Sequence, residues 1–420
     1  MWSKISRRDF LRNSIGISLA PVSAMRQIEN PEAVRRINGR SRFLQSSKSQ
    51  LWLNGKQFRN VGVNIPNLFT RFLLGDDISA ARALSTASTI GVKAVRCFGG
   101  SWGWDHFTIF MNDRDRWLAA FDRTLSAASD HGISLIPSLL FNDRALPHYI
   151  RKYRKNPNEH IVNFLTPKSL SNRLAVEYVT AIVSRYRDDP RVLFWEIGNE
   201  YNLEADLSAQ WKLRPANEIA TSDQIRSFLI QIVDLIHHLD PNHTVTSGNS
   251  DMRSYAWHIR QAMLKHKHDA NPFDYPMDWS KDTFNEYAQM MRFFNPSPIQ
   301  IVSVHQYPPP GGDVFNWIKP ENAEEDQALS YTRKVTDSMH RPLFIGEFGA
   351  TVYQNGAEIE SPFVENVLKR MRNGAAPIAA IWAWEFDGGS PDQNPTNLSL
   401  KRTPRLAALI RETNQDLGSV

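Results

Sequence analysis

The chain of 420 residues has one cysteine, Cys97, which excludes an intrachain disulfide and leaves packing to hold the fold. It also lacks a charge excess where a fold would sit. The formal net charge is +5 and the pI is about 9.2, but residues 1–24 carry +3, residues 25–50 carry +4, and residues 51–420 are left at −2. The body therefore has no cationic surplus for holding phosphates, and nucleic acid is not expected as a partner. No glycine-rich phosphate loop follows the first apolar strand candidate, Phe58–Asn64, as a nucleotide site on an open doubly wound sheet would need. That strand, Val61-Gly62-Val63-Asn64, also lacks the His-x-His that metal-dependent barrel hydrolases place there.

The basic tail reads as an address. Ser6-Arg7-Arg8-Asp9-Phe10-Leu11 resembles the twin-arginine export motif and is followed by the weakly apolar Ile15–Ala20 and the small-residue site Val22-Ser23-Ala24. A signal peptide over residues 1–24, cleaved after Ala24, is expected, with transient use of the twin-arginine machinery and a periplasmic or secreted destination. Its apolar part is far too short to span a bilayer, so no stable membrane anchor is expected. A chain with one cysteine loses nothing by folding before export. Residues 25–50, polar and basic, read as a linker, and residues 51–420 as the folded domain.

Within that domain, Leu51–Phe58 reads as a β-hairpin with Asn54-Gly55 as a type I′ turn, placed to plug the bottom of a barrel. Eight apolar strand candidates follow: Phe58–Asn64, Val92–Phe98, Ile133–Leu140, Val192–Glu200, Thr244–Asn249, Ile301–Tyr307, Leu343–Glu347 and Ala379–Phe386. Amphipathic helical patterns lie between them, among them Asp115–His131, Asn172–Tyr186 and Ser222–Leu239, the last stopped by Asp240-Pro241. Helices between successive strands require parallel strands, and eight such units close into an α/β (β/α)8 TIM barrel. Long segments at 141–170, 201–221, 250–300 and 308–322 all follow strands, so they build high walls on the catalytic face. Most aromatics of the 250–300 insertion (Tyr255, Trp257, Phe273, Tyr275, Trp279, Tyr287 and Phe294) are expected to form that loop's own small core.

Two strands share a design. Phe194-Trp195-Glu196-Ile197-Gly198-Asn199-Glu200 and Leu343-Phe344-Ile345-Gly346-Glu347 are buried runs that end in a carboxylate. A strand-end glutamate alone often caps a helix or pairs with a cation. Two at one end of a barrel are the minimum for glycoside hydrolysis, one to protonate the leaving oxygen and one to attack or to activate water. Alternation sets Arg96 opposite Cys97, so an inward Arg96 would keep Glu347 ionised. His305 and Tyr307 share a face of the sixth strand and are placed to serve the acid and the nucleophile. Trp382 and Trp384 share a face of the eighth, suited to lie under a sugar ring. Glu196 is expected to be a buried partner of Arg96.

These residues resemble glycoside hydrolase family 5, the cellulase- and mannanase-like (β/α)8 retaining β-glycosidases, over residues 51 to about 400. The resemblance rests on Arg96, the Asn199-Glu200 pair, His305 with Tyr307, Glu347, and the tryptophans of the eighth strand. It implies Glu200 as general acid/base, Glu347 as nucleophile, Asn199 as partner of the sugar 2-hydroxyl and Trp382 as platform, with no metal or cofactor. The implied partner is a β-linked oligo- or polysaccharide of the β-1,4-mannan or β-glucan class. Endo action is favoured, with an exo-acting glycosidase on short oligosaccharides and a non-catalytic glycan-binding barrel as alternatives. A retaining pair requires Glu347 kept low by Arg96 and Tyr307, and Glu200 raised by its ionised neighbour. The sequence departs from many members at Tyr201, where proline is common, and at Phe141-Asn142-Asp143, where a histidine is common. His266 and His268 are spaced as metal ligands but sit in a charged loop with nothing to orient them.

Overall fold

The computed structural model describes residues 42–208, 218–267, 274–308, 315, 327–386 and 395–418. The expected signal peptide and most of the expected linker lie outside the described residues, as do His268, Phe273 and most of 308–322. Among the described residues no helix is long and apolar enough to cross a membrane.

The chain enters through an antiparallel meander of β1 (Gln45–Ser47), β2 (Gln50–Leu53) and β3 (Lys56–Gln57). Asn54 and Gly55 have φ of 52° and 76°, so the β2–β3 turn has both central residues left-handed, as a type I′ hairpin requires. β1 falls inside the stretch read as linker. The folded body begins earlier than expected because Phe43 and Leu44 are buried and carry the chain into this meander.

Eight parallel strands follow: β4 (Asn60–Asn64), β5 (Ala94–Phe98), β6 (Ser134–Ser138), β7 (Trp195–Glu196), β8 (Val245–Thr246), β9 (Val302–Gln306), β10 (Leu343–Phe348) and, after a small hairpin of β11 (Tyr353–Gln354) and β12 (Ala357–Glu358), β13 (Ile378–Ile381). Each of the eight overlaps one of the expected strands; β10 runs one residue past its expected end and β13 starts one residue before its expected start. Their spatial order is β8-β7-β6-β5-β4-β13-β10-β9. A parallel bridge between Thr246 and Ile301 joins the two ends, so the sheet closes into the expected barrel and the open doubly wound sheet is excluded.

The helices form for local reasons. Ser222–Leu239 starts at a capping box of Thr221 and Gln224, buries the stripe Ile225, Phe228, Leu229, Ile232, Val233 and Ile236, and ends at Asp240 before Pro241. Strand alternation divides the apolar residues into two cores. Val61, Val63, Val95, Cys97, Leu135, Trp195, Val245, Val302, Val304 and Ile345 face outward and join the helices in one large cluster. Ala94, Ile136, Phe194, Ile301, Phe344, Ile378 and Ala380 face inward at the bottom, where Leu44 and Leu51 of the meander cover them. In the 250–300 insertion Tyr275, Tyr287 and Phe294 are buried, and Tyr255 packs edge-on against Trp279 at 4.7 Å, a loop core as expected.

Candidate active site

The upper half of the barrel interior is polar. Arg96, wholly buried on β5, is its centre. Its Nε and Nη2 bond the Glu196 carboxylate, Nη2 at 2.7 Å. Nη1 donates to Glu347 Oε1 at 2.7 Å and to Asn64 Oδ1 at 3.0 Å, and Nη2 also donates to Asn199 Oδ1 at 2.6 Å. Burial works to lower the guanidinium pKa, but Glu196 and Glu347 reverse this and raise it, so the charge is permanent. Cys97 lies on the other face of β5, where burial pushes its thiol up to about 12. Arg96 faces into the barrel and Cys97 away from it, as expected, and Glu196 is the buried partner of Arg96.

Glu347 sits on β10 just after a register shift between Ile345 and Glu347 against β9; against β13 the shift falls between Ile345 and Phe348. Strict alternation from the inward Phe344 would turn Glu347 toward the helices; the shift turns it into the barrel. It takes a second hydrogen bond from the Tyr307 hydroxyl at 2.6 Å. Burial first, and then the Glu347 charge, raise the Tyr307 pKa well above its usual value, so this phenol remains a neutral donor. Glu200 follows β7 at a left-handed residue, φ 55°, its amide held by the Gly248 carbonyl at 2.8 Å. His305 Nδ1 donates to Glu200 Oε1 at 2.8 Å and lies 3.6 Å from Glu347 Oε2. The far side of the His305 ring faces Gly346, where a Cβ would come within 2.8 Å of Nε2.

One oxygen of each carboxyl and a ring nitrogen of His305 all lie within 4.8 Å of one another. That spacing leaves no room for a water between a sugar and the second carboxylate, and fits direct attack, for which the groups stand about 5–5.5 Å apart. Glu200 corrects one expectation. Burial does raise its pKa, but the hydrogen bond and charge of His305, together with Arg96 and Ser250, outweigh burial, and the net shift is downward.

A cleft of about 520 Å³ lies over this pair, lined by Phe98, Trp102, Phe141, Asn199, Glu200, Tyr307, Glu347, Trp382 and Thr396. Trp382 faces the cleft as expected. Trp384 does not: it is wholly buried in the core between barrel and helices, its Nε1 donating to Thr86 Oγ1 at 3.1 Å. β13 ends at Ile381, so alternation no longer governs the chain by Trp384, and it is not a substrate residue.

Sequence reasoning missed one wall. Phe98 and Phe141 stack at 3.8 Å with their planes 1° apart, and Trp102 lies nearly parallel to both at 5.5 and 5.8 Å. The signal was present in Gly99-Gly100-Ser101-Trp102, a tryptophan on a small-residue loop at the catalytic end of a strand. Phe141, one of the departures noted above, is part of this wall. Tyr201, the other, is buried with its hydroxyl donating to the Leu140 carbonyl.

Two groups of described residues have metal-like spacing, Glu200–His305–Glu347 and His258–Asp282–Glu286. In the first, Arg96 stands 2.7 Å from Glu347 and opposes a cation. In the second, Asp282 accepts the Trp257 and His258 amides and Glu286 accepts Thr283, so the carboxylates are engaged at helix starts. His266 stacks on Tyr275.

Residues 54–388 match the family model described as cellulase (glycosyl hydrolase family 5). Mannan endo-1,4-beta-mannosidase F of Aspergillus clavatus is 27% identical over 245 residues, which cover 58% of this chain and 46% of that protein. The chain thus spans about half the length of that relative. Mannan endo-1,4-beta-mannosidase 2 of Oryza sativa subsp. japonica is 24% identical over 338 residues, covering 73% and 68%. The solved endo-1,4-beta-mannanase from Rhizomucor miehei shares the fold, with a TM-score of 0.60 at 17% identity, covering 90% of this chain and 99% of that one.

Proposed function

The chain belongs to glycosyl hydrolase family 5, and on that premise we propose that it is a retaining, endo-acting hydrolase of β-linked glycans of the β-1,4-mannan or β-glucan class. The observation that carries this is the facing pair of carboxylates. Glu347 is pinned by Arg96 and Tyr307, and Glu200 stands opposite with a pairwise spacing too small for an inverting water. The names of the relatives support mannan within that class.

The two groups divide the work. Glu347 attacks the anomeric carbon as the bond to the leaving oxygen breaks and Glu200 passes its proton to that oxygen. The donors fixed at 2.7 and 2.6 Å hold the Glu347 carboxylate without rearrangement and stabilise its charge again when it is released. Glu200 must carry a proton at that moment, although in the free protein His305 keeps it low. A substrate filling the cleft removes the water around Glu200 and raises its proton affinity. Once the glycosyl-enzyme forms, Glu347 is neutral, Glu200 loses its negative neighbour and becomes the base that activates water. Asn199 Oδ1 is tied to Arg96, which leaves its Nδ2 for a sugar hydroxyl. Trp382 supplies an apolar face beneath the ring.

The test is product release from mannan, mixed-linkage and β-1,4-glucans, xylan and aryl β-glycosides. Glu347→Ala should lose about 10⁴-fold or more in kcat, and azide should restore turnover with inverted product. Absence of rescue for both Glu347→Ala and Glu200→Ala overturns the assignment. Product lengths separate endo from exo action. We also propose export by the twin-arginine route from the motif at Arg7-Arg8; a periplasmic product whose intact mass retains residues 1–24 refutes cleavage after Ala24.

A further inference from the structure

Four aromatic side chains are exposed among the described residues: Trp102 (42%), Trp104 (41%), Tyr153 (44%) and Tyr307 (37%). All four lie on segments that leave the catalytic ends of barrel strands. Trp102 and Tyr307 line the cleft; Trp104 and Tyr153 do not. Large rings left in water at one end of a molecule forgo about 25 cal/mol per Å² of burial and mark a contact surface.

Both rings are held rigidly. Trp104 follows the cleft residue Trp102 after Gly103, and His148 braces it edge-on, ring centroids 5.3 Å apart at 67°. His148 and Tyr153 belong to the helix Ala145–Tyr153, which begins four residues after the cleft residue Phe141. Two segments that start side by side in the cleft therefore meet again outside it. Tyr153 stacks on Tyr149 at 5.6 Å. Asp105 stands among these side chains: Oδ1 accepts His148 Nε2 at 2.9 Å and the Tyr153 hydroxyl at 3.1 Å, and Oδ2 accepts Lys152 Nζ at 2.7 Å. The hydrogen bonds from Lys152 and His148 hold its carboxyl at about 2, so it stays an acceptor at any working pH. These contacts account for Asp105 and Lys152, and in part for Tyr153, over whose ring Lys152 Nζ lies 5.2 Å from the centroid; they do not account for the exposure of Trp104.

Flat apolar faces take the C–H face of a pyranose, and a fixed carboxylate with an adjacent ammonium takes its hydroxyls. Asp105 and Lys152 cancel in charge, which favours a neutral ligand. We propose that Trp104 and Tyr153, with the Asp105–Lys152 pair between them, form a remote subsite that grips a neutral β-linked glycan several sugars from the scissile bond. It is continuous with the cleft through Trp102 and Phe141. The proposal rests on the glycan-hydrolase reading above.

The test compares the full chain with Trp104→Ala and Tyr153→Ala, both surface changes, on hexasaccharides and trisaccharides of the manno and gluco series and on aryl β-glycosides. The expected result is a loss of about fivefold to tenfold in kcat/KM on hexasaccharides, mainly in KM, with trisaccharide and aryl-glycoside rates unchanged. An equal loss on short and long substrates, or none on either, overturns the subsite. If the unaltered chain turns over nothing, the hydrolase reading has failed, and the subsite is then decided by calorimetric titration of mannohexaose and cellohexaose into Glu347→Gln and into Glu347→Gln with Trp104→Ala. Weaker binding in the double variant upholds it; equal binding, or no binding to either, overturns it.

Discussion

The two ends of the barrel interior are built from the same strands and differ in almost everything else. On β5 Ala94 faces in at the bottom and Arg96 at the top; at β7 the pair is Phe194, just before the strand, and Glu196; at β9 Ile301, just before the strand, gives way to Ser303 and His305. The change takes two to four residues, ~7–13 Å of strand. The lower layer is apolar, is covered by Leu44 and Leu51, and stabilises by burial at about 25 cal/mol per Å². The upper layer buries Arg96, Glu196, Asn64, Ser138 and Glu347, and its ion pairs of Arg96 with Glu196 and Glu347, even well made, add little net stability. One sheet thus separates the task of staying folded from the task of chemistry by height alone.

Substitutions in each layer sharpen that contrast. Arg96→Leu should have the largest effect, because it leaves Glu196 buried without its cation and frees Glu347 and Asn199 from theirs. A loss of about 3–5 kcal/mol in urea unfolding and at least ~10²–10³-fold in kcat is expected. Phe194→Ala, in the lower layer, should cost a similar 3–5 kcal/mol from the cavity alone, with kcat of the folded protein unchanged. The separation breaks if Phe194→Ala loses turnover while still folded, or if Arg96→Leu keeps it.

How much of this was legible depended on whether alternation continued. Where strands ran regularly, pattern was enough: Arg96 and Cys97 fell on opposite faces, Glu196 met Arg96, and His305 and Tyr307 reached the two glutamates. Where the backbone left the pleat, pattern misled. Trp384 shares a face with Trp382 only if the strand runs on to it, and β13 ends at Ile381. Glu347 faces inward only through a register shift at Gly346, which alternation alone misses; its place at the end of a buried strand singles it out, and the family resemblance implies its role. The direction of the Glu200 shift was also missed, because it is set by a 2.8 Å contact between strands whose spacing no local pattern encodes. The β11–β12 hairpin repeated a signal already used at Asn54-Gly55, in Asn355-Gly356. Phe98, Trp102 and Phe141 are dispersed in sequence and become a wall only when β5 and β6 stand side by side.

A polar group near the catalytic end carries a pH cost that the lower layer lacks. Asp206, on the loop after β7, is buried, and burial outweighs its hydrogen bonds with Ser222 and pushes its carboxyl up to about 6 from 3.8. Below about pH 3.8 folded and unfolded chains both hold this proton, and its contribution to stability is full. Between the two values only the folded state holds it, so stability falls as pH rises, and by about pH 6 some 3 kcal/mol is gone. Asp206→Asn keeps an acceptor for the Ser222 amide and should flatten this part of the urea-midpoint profile. A profile unchanged in the variant would assign the titration elsewhere.

The smallest expected effect compares the ends through one turn type. Gly55 in the bottom hairpin and Gly356 in the hairpin after β10 have φ of 76° and 79°, and neither has a heavy atom within 4 Å of where a Cβ would stand. Alanine at either position should therefore cost only the backbone penalty for a left-handed residue, about 1 kcal/mol. Equal losses in the two variants, with turnover intact in Gly55→Ala, would mean the hairpins are interchangeable turns. A clearly larger loss at Gly55 would mean that the turn also sets the register by which Leu51 covers Phe194 and Phe344, making the plug part of the lower core rather than a cap laid upon it.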